Sequence, residues 1–282
     1  MKDQFTVVAE DEGLRLDQVV PRHLPGLSRR KARAVIDTGG VFVDKTRVKV
    51  AGRTVRAGQV IEVNVGGAVE RTAPPLAPTL VHLDDHVIVV IKPAGLVTAP
   101  TPESDRGDLL DQLGRAHGEV FLVHRLDLPT SGLLVFARTR AANKRLGDAF
   151  KVHDIDREYR AVVIGAPTTQ TVDRPIGGKR AVTHVTVIEP LAGATLVAAR
   201  LETGRTHQIR LHLAGLGTPV AGDTQHGGEA SRTFVPRAPR LALHAALLGF
   251  THPATGERVR FTAPVPPELE AWIARLRPPA PP

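Results

Sequence analysis

Residues 120–137, VFLVHRLDLPTSGLLVFA, decide the fold of the larger part of the chain because they place charged side chains between two apolar runs. The runs VFLV and GLLVFA have the length and the branched and aromatic residues of buried strands. A Pro and a Gly between the runs mark a turn, and we expect the hydroxyls of Thr130 and Ser131 to hydrogen-bond its backbone. The stretch therefore predicts a strand that ends at Asp127 and a second strand, residues 133–137, that returns into the same sheet.

Strand-like segments dominate the sequence from Leu80 onward, and helical patterns lie between some of them. The strand-like segments include HVIVVIKP, EVFLVHRL, GLLVFA, REYRAVVIG, THVTVIE and ATLVAARL. The helical segments are RAANKRLGDAFK, GRTHQIRLHLAGLG and PELEAWIARL, the last with one apolar face. Because strands outnumber helices and do not alternate strictly with them, residues 80–277 are predicted to form an α+β domain with a mixed, mainly antiparallel sheet. Residues 278–282 are predicted to be a loose tail.

A smaller domain is predicted at residues 1–65, followed by a linker at residues 66–79. Two helical patterns are followed by alternating strand patterns, which indicates a small helix-helix-strand unit. Ser28 can cap the second helix, and two consecutive Gly residues mark its end. The linker, GGAVERTAPPLAPT, has no hydrophobic period and is interrupted by Gly and Pro.

Four cations open the second helix of this small unit: Arg29, Arg30, Lys31 and Arg33. Arg29 and Arg33 are four residues apart and therefore share a face of the helix. Positive charge at a helix start opposes the macrodipole, so these side chains are poorly explained as helix stabilisers. A solvated surface is the ordinary interpretation. We favour a ridge that contacts phosphates.

The composition limits the possible functions. The chain has 282 residues, 42% of them hydrophobic, and no Cys. It is long enough for a large core, and it has no disulfide, thiolate zinc site or cysteine nucleophile. The formal net charge of +8 is compatible with a polyanionic partner. Aromatic side chains are few, so a bound RNA would be held mainly through its shape and phosphates.

The sequence predicts a protein of the cytoplasm without a membrane partner. No apolar run approaches the roughly 18–20 residues of a membrane span, and the first residues do not show the pattern of a signal peptide.

Several common catalytic motifs do not fit the sequence. Ser131 lacks the G-x-S-x-G pattern of a nucleophile elbow. No H-E-x-x-H occurs, and His207 and His212 have the wrong spacing to share one helix face as metal ligands. Neither a strand followed by G-x-G-x-x-G nor the spacing of a P-loop is present. The sequence therefore predicts no metal and no cofactor.

Asp127 is an unusual carboxylate because apolar runs lie on both sides of it. For an isolated Asp, turn capping is the ordinary interpretation. In a partly dry site it would need a cationic partner, since an unpaired buried charge is costly. Arg210, between Ile209 and Leu211, is a candidate partner. Tyr159, the single Tyr of the chain, would by itself be interpreted as a core residue with a satisfied hydroxyl.

Two parts of the chain resemble known families. Residues 14–65 resemble the small RNA-binding domain named after ribosomal protein S-four, through RLD, LSR and the spaced Val and Gly residues that follow. Residues 80–270 closely resemble the RluA-type family of RNA pseudouridine synthases, through His-Arg-Leu-Asp, two residues, and Thr-Ser-Gly-Leu-Leu at residues 124–134. Further matching blocks, in the same order along the chain, are DDHVIVVIKPAGL, REYRAVVIG, LETGRTHQIRLHLAGLGTPVAGD and RLALHAALLGFTHP.

The second resemblance implies a catalytic domain of the pseudouridine synthase type, which isomerises uridine to pseudouridine without a cofactor. It implies that Asp127 is the essential carboxylate, that Tyr159 lies beside the target base and that Arg210 pairs with the carboxylate. Arg125 would fill the gap left by the flipped uridine, and Leu243 would line the pocket. Asp127 would act either as a nucleophile at the ribose or as a base at its 2′ carbon.

An attached RNA-binding domain is similar to the arrangement in family members that act on large-subunit ribosomal RNA. We therefore expect that substrate, with transfer RNA as the alternative, and we expect a monomer. The family's Gly-Asp-x-x-Tyr-Gly block is GDTQHGG here, with His226 in place of Tyr, a difference expected to affect RNA preference more than activity.

Two other functions remain to be weighed against the synthase. A non-catalytic RNA-binding or ribosome-assembly factor could keep the same fold, but Asp127, Tyr159 and Arg210 are all intact. A uridine methyltransferase would need the cysteine nucleophile and the glycine-rich cofactor loop that the sequence lacks.

Overall fold

A small antiparallel sheet and two helices form the first of the two compact units into which the chain divides. The structure is a computed structural model that describes residues 2–37, 39–64, 76–99 and 108–278. The elements of this unit are β1 (Lys2–Thr6), α1 (Leu16–His23), α2 (Arg29–Asp37), β2 (Val41–Val43), β3 (Thr46–Val48) and β4 (Val60–Asn64). The sheet order in the described residues is β1-β4-β2-β3.

Aliphatic side chains from both helices and from the sheet fill the core of the first unit. Its fully buried members include Leu16, Val20, Ile36 and Ile61. The backbone N–H of Lys31 donates to Oγ of Ser28 at 3.2 Å, so the cap predicted for α2 is present. Strand β1 was not predicted, because its sequence, KDQFT, is short and mostly polar and becomes a strand through pairing with β4.

A larger sheet with helices forms the second unit. Its strands are β5 (Thr79–Leu83), β6 (Val87–Lys92), β7 (Phe121–Leu122), β8 (Ser131–Ala137), β9 (Asp156–Ile164), β10 (Gln170–Asp173), β11 (Val182–Leu191), β12 (Ala194–Leu201), β13 (Leu243–Thr251) and β14 (Arg258–Thr262). Its helices are α3 (Leu109–His117), α4 (Arg140–Lys151), α5 (Gln208–Gly215), α6 (Gly228–Thr233) and α7 (Pro267–Ala274). In the described residues the strand order is β10-β11-β12-β9-β13-β8-β6-β5, with β14 beside β13 and β7 beside β8.

The large sheet is mixed and mainly antiparallel, which confirms the predicted α+β fold. The parallel pair, β8 with β13, places Ser131 opposite His244 and Gly132 opposite Ala245. Gly132 has φ +123°, and a Cβ there would lie 2.3 Å from the carbonyl oxygen of Ala245. Only glycine therefore allows the two strands to approach each other at this point, a few residues after Asp127.

The segment that carries Asp127 is irregular, so the prediction of a strand ending at that residue is wrong. Strand β7 ends at Leu122, and residues 123–130 belong to neither a helix nor a strand. The side chain of Thr98 takes the place of a neighbouring strand: its Oγ1 accepts from the N–H of Leu126 at 3.3 Å and donates to the carbonyl of Leu126 at 3.0 Å. The pattern of apolar residues along the sequence does not indicate a tertiary contact of this kind.

Helices α4, α5 and α7 lie in the predicted helical segments, whereas α3 and α6 were not predicted. Thr139 caps α4, its side chain accepting from the N–H of Ala142 at 3.1 Å. The predicted apolar face of the last helix is confirmed for Leu269, Trp272 and Ile273, which are buried on α7, and Leu276, two residues after the helix ends, is buried as well. In the described ranges, no helix combines the length and the apolar character needed to span a membrane.

The domain boundaries stay predictions. Residues 66–75 of the linker and 279–282 of the tail lie outside the described residues. Strand β5 begins at Thr79, the last residue that was assigned to the linker.

Candidate active site

The backbone around Asp127 is held in place by a buried ammonium group. Lys92, at the end of β6, is fully buried. Its Nζ donates to the carbonyl oxygens of Leu96 at 2.8 Å and Leu128 at 3.3 Å. Burial lowers the pKa of Lys92 to about 7, although the charge of Asp127 acts in the opposite direction. The turn after β6 is thereby tied to Leu128, the residue that follows Asp127. The carbonyl of Asp127 itself accepts from the N–H of Thr130 at 3.1 Å.

Two carboxylates share the guanidinium of Arg210, which α5 presents with only 4% of the residue exposed. Nε and Nη2 donate to Oδ2 and Oδ1 of Asp223, both at 2.8 Å. Nη1 donates to Oδ2 of Asp127 at 3.3 Å. The pair expected from the sequence is thus present in the structure, but the shorter, bidentate pair is with Asp223. Asp223 was not singled out, because nothing in its local spacing connects it with α5.

This arrangement fixes the charges around Asp127. Burial alone would raise the pKa of Asp223, but hydrogen bonds from Arg210 and from the backbone N–H groups of His226 and Gln225 outweigh it and lower the pKa. Burial would likewise lower the pKa of Arg210, whereas its hydrogen bonds to Asp223 and the charge of Asp127 raise it. Asp127 therefore faces a permanent cation.

A pair of imidazoles lies on the other side of Asp127. Nε2 of His207 is 3.8 Å from Oδ1 of Asp127, and Nδ1 of His207 is 2.8 Å from Nε2 of His226. Burial is the largest cause of a lowered pKa at His207, and the charge of Asp127 opposes it. His207 is therefore a neutral imidazole near neutral pH.

A cavity of about 480 Å³ opens beside Asp127. Its volume lies in the range of pockets that bind small ligands, which is large enough for one nucleotide base. Tyr159 from β9 and Leu243 from β13 are buried side chains of its wall, whereas Arg125 is exposed. The structure thus brings every residue predicted for catalysis or substrate binding to one cavity: Arg125, Asp127, Tyr159, Arg210 and Leu243.

The phenol of Tyr159 is neutral in this environment. On β9, Tyr159 lies opposite Ala199 of β12 and Ala245 of β13, in the middle of the sheet. Burial raises the pKa of its hydroxyl, and the positive charge of Arg157 offsets only part of this effect. Tyr159 can therefore donate a hydrogen bond or pack against a base, but at neutral pH it is not an anionic base.

Arg157 is a cavity residue that the sequence analysis missed. It lies two residues before Tyr159 on β9 and so shares its face of the sheet, a signal that could have identified it. Its guanidinium lies 5.4 Å from the ring centroid of Phe150, and Nη2 donates to the carbonyl of Glu202 at 3.2 Å. A Cβ at Gly204 would approach Nη1 to 2.6 Å, so glycine leaves room for the cation. In the described residues its buried Nε has no hydrogen-bond partner.

Ser131 makes a different contact from the one expected. Its Oγ lies 2.8 Å from Nδ1 of His244 and accepts from Nη2 of Arg240 at 3.0 Å. Burial lowers the pKa of His244 to about 4, so its ring is neutral. The hydroxyl therefore joins β8 to β13 through side chains, and the expectation that it binds turn backbone is wrong.

The four cations of α2 divide into two groups. Arg29 and Arg33 are partly buried and lie beside the fully buried Asp17, with Nε of Arg29 at 3.3 Å and Nη1 of Arg33 at 3.9 Å from Oδ2. Arg30 and Lys31 are exposed. The ridge predicted to contact RNA phosphates thus contains two cations that also stabilise the unit. Its role in RNA binding stays a prediction.

Comparison with known proteins assigns the chain to a family. Residues 86–215 match the family model described as RNA pseudouridylate synthase, and residues 14–61 match that of the S4 domain. A relative named ribosomal large subunit pseudouridine synthase D, from Xanthomonas campestris pv. campestris, is 36% identical over 97% of this chain and 92% of its own length. The chain belongs to the RluA-type family of RNA pseudouridine synthases.

Other known proteins are similar to this synthase in sequence and in fold. A relative of the same name from Pseudomonas aeruginosa is 35% identical over 94% of the synthase and 92% of its own length. The solved structure titled human RNA pseudouridylate synthase domain containing 1 has 28% identity and a TM-score of 0.57, covering 70% of the synthase and 87% of that chain. The fold and the S4 domain implied by the resemblances are confirmed.

Proposed function

We propose that the synthase isomerises uridines of large-subunit ribosomal RNA, with Asp127 as the essential carboxylate after the target uridine has flipped out of its stack. The observation that supports this most is the position of the Asp127 carboxylate, 3.3 Å from the guanidinium of Arg210 and beside a cavity that Tyr159 also lines. A carboxylate that a fixed cation orients, beside an aromatic wall, can act as a nucleophile or a base on a nucleotide bound in the cavity.

Base flipping connects the RNA to this cavity. A uridine inside a stack cannot reach Asp127, and its extrusion costs a few kcal/mol that protein contacts must offset. Arg125 is exposed, lines the cavity and lies two residues before Asp127, so it is suited to fill the gap in the stack. Tyr159 and Leu243 offer a largely apolar wall to the extruded base.

The reaction is an isomerisation, so the product has the same atomic composition as the uridine although the hydrogen on C5 is exchanged with solvent. The bond from ribose C1′ to uracil N1 breaks, the base turns, C5 bonds to C1′, and the proton on C5 leaves while N1 gains one. Asp127 acts in one of two ways: it attacks C1′ as a nucleophile, or it removes and later returns a proton at C2′. In both, Arg210 stabilises the ionised carboxylate and fixes its direction.

Tyr159 would hold the base during its turn. Because burial keeps the phenol protonated at neutral pH, we assign removal of the C5 proton to a water assisted by Tyr159 and not to a tyrosinate.

Three observations support large-subunit ribosomal RNA as the substrate. The relatives from Xanthomonas campestris and Pseudomonas aeruginosa, which cover nearly the whole chain, carry the ribosomal large subunit in their names. An S4 domain match precedes the catalytic match, and the net charge of +8 suits a structured polyanion.

Tritium release from RNA labelled at uridine C5 tests the proposal. Wild-type protein should release tritium from large-subunit ribosomal RNA, and Asp127→Asn should reduce release to background with unchanged folding and RNA affinity. Asp148→Asn, an exposed carboxylate on α4, is the matched control and should remain active.

The possible failures of this experiment differ from one another. Full release by Asp127→Asn would contradict the role of that carboxylate. Release from transfer RNA alone would contradict the substrate. Salt-dependent RNA binding by the wild type without any release would favour a non-catalytic RNA-binding factor.

A further inference from the structure

Three side chains form a line that starts at the reacting carboxylate: Asp127, His207 and His226. The two imidazole rings are 5.0 Å apart at an interplanar angle of 63°, and Nδ1 of His207 lies 2.8 Å from Nε2 of His226. The other ring nitrogen of His207, Nε2, lies 3.8 Å from Oδ1 of Asp127. Both nitrogens of His207 are thus directed to partners. This line is separate from the contact between Arg210 and Oδ2 of the same carboxylate.

The backbone holds both rings in place. His207 has φ +55°, a left-handed conformation that is uncommon for a residue with a Cβ, at the residue before α5. The backbone N–H of His226 donates to Oδ1 of Asp223 at 3.0 Å. Asp223 is the carboxylate that also binds Arg210. One buried carboxylate therefore positions both the cation and the distal imidazole.

The hydrogen-bond partners determine which nitrogens carry protons. A lone pair on Nε2 of His207 would face the negative oxygen of Asp127, so the favoured tautomer has Nε2–H directed at the carboxylate. Nδ1 of His207 must then be the acceptor of the 2.8 Å contact, and Nε2–H of His226 must be its donor. His226 thereby selects the tautomer of His207 that Asp127 requires.

We propose that His226 is a positioning residue of the isomerisation, which acts by donating a hydrogen bond to Nδ1 of His207 and so keeps that ring neutral, with its N–H directed at the carboxylate of Asp127. The inference rests on the proposed function in one respect: it takes Asp127 as the reacting carboxylate.

The charges around His207 explain why the donor matters. The groups that face His207 are Asp127 from the segment after β7, Arg210 from α5, and Asp223 and His226 from the segment before α6. A proton on Nδ1 would make an imidazolium next to Asp127, which would compete with Arg210 for the carboxylate. While His226 donates to Nδ1, the lone pair of that nitrogen is occupied, so protonation there requires this hydrogen bond to break or reverse. The side chain of Arg205, nearby in the sequence, is directed elsewhere, since its Nε donates to the carbonyl of Arg180.

Two substitutions of His226 distinguish the loss of its hydrogen-bond donor from the loss of its ring volume. His226→Leu fills similar space without a donor, whereas His226→Gln places an amide N–H near the position of Nε2 and does not titrate. His184→Leu is the matched control, because it removes a hydrogen-bonded histidine that lies outside the cavity.

Tritium release should give kcat and KM for each variant. We expect His226→Leu to lower kcat about tenfold, in keeping with loss of one hydrogen bond, with little change in KM. We expect His226→Gln to restore most of kcat. His184→Leu should resemble the wild type.

The pH profile is the readout that a merely structural role would not change. In His226→Leu, Nδ1 of His207 is free to take a proton and Asp127 stabilises the imidazolium, so the acid limb of kcat should move to higher pH. In His226→Gln it should stay where it is in the wild type.

Each result bears on one claim. Wild-type kcat and an unmoved acid limb in His226→Leu would overturn the inference, as would equal losses in His226→Gln and His226→Leu when both unfold at the wild-type temperature. An active Asp127→Asn variant would instead overturn the proposed function, whatever His226 does.

Discussion

The pair between Arg210 and Asp223 should be a large contribution to the stability of the second unit. Its side chains are 5% and 1% exposed and share two hydrogen bonds of 2.8 Å. Removal of one partner from a buried pair leaves an uncompensated charge and costs about 3–5 kcal/mol. In Asp223→Asn, the amide keeps one acceptor oxygen and Asp127 remains near the cation. We therefore expect the lower end of that range, a loss of about 3 kcal/mol in the free energy of unfolding.

Urea unfolding at pH 7 measures this loss. Trp272 is the single tryptophan of the chain and is buried in the second unit, so its fluorescence reports on that unit. With a slope of about 2 kcal/mol per molar urea, the midpoint should fall by roughly 1.5 M. The matched control is Asp148→Asn, which removes an exposed pair with Lys151 and should leave the midpoint unchanged. Equal midpoints for Asp223→Asn and the wild type would refute this account of the buried pair.

The pH dependence of this effect has a definite sign. The folded protein lowers the pKa of Asp223 below its ordinary value of 3.8. The stabilisation is therefore fully present above that ordinary value and is lost as the pH falls through the lower, folded value. The difference in stability between the wild type and Asp223→Asn should shrink below about pH 4. A difference that stays constant down to pH 2 would mean that the charge of Asp223 is not its source.

Three further outcomes are expected. Gly132→Ala should lower the midpoint of thermal unfolding strongly, because a Cβ there would lie 2.3 Å from the carbonyl oxygen of Ala245. Scanning calorimetry measures this midpoint. The control is Gly147→Ala, because a Cβ at Gly147 meets nothing within 4 Å. The double variant Arg30→Glu/Lys31→Glu should weaken RNA binding and reduce the slope of log K against log salt concentration by about 2, measured by titration at several salt concentrations. An unchanged slope would mean that these residues do not contact RNA phosphates. Tyr159→Phe should lower kcat about tenfold with little change in RNA affinity; tritium release at the wild-type rate would mean that the hydroxyl takes no part.

The local patterns of the sequence were sufficient to predict most elements of the catalytic unit. The buried strand β8 is apolar from Leu133 to Ala137, and a Thr caps the start of α4, so local chemistry and tertiary structure agree in both elements. Strand β1 and the segment after β7 could not be predicted in the same way. Their conformations depend on partners distant in sequence, a strand in the first case and the hydroxyl of Thr98 in the second.

The site was predictable to a similar extent. Apolar surroundings made Asp127 conspicuous and made Arg210 a candidate partner, but the chemistry came from the resemblance to a family. The bidentate pair with Asp223 and the contact between His207 and His226 depend on distances between separate elements. Spacing along a chain does not encode such distances.

Pseudouridine mapping of large-subunit ribosomal RNA tests the central claim most directly. RNA from cells that lack the synthase would be incubated with the purified wild-type protein or with Asp127→Asn, and modified uridines would then be located along the RNA. The account predicts new pseudouridines at defined positions with the wild type and none with Asp127→Asn. The same modified positions with both proteins, or no modification with either, would contradict it.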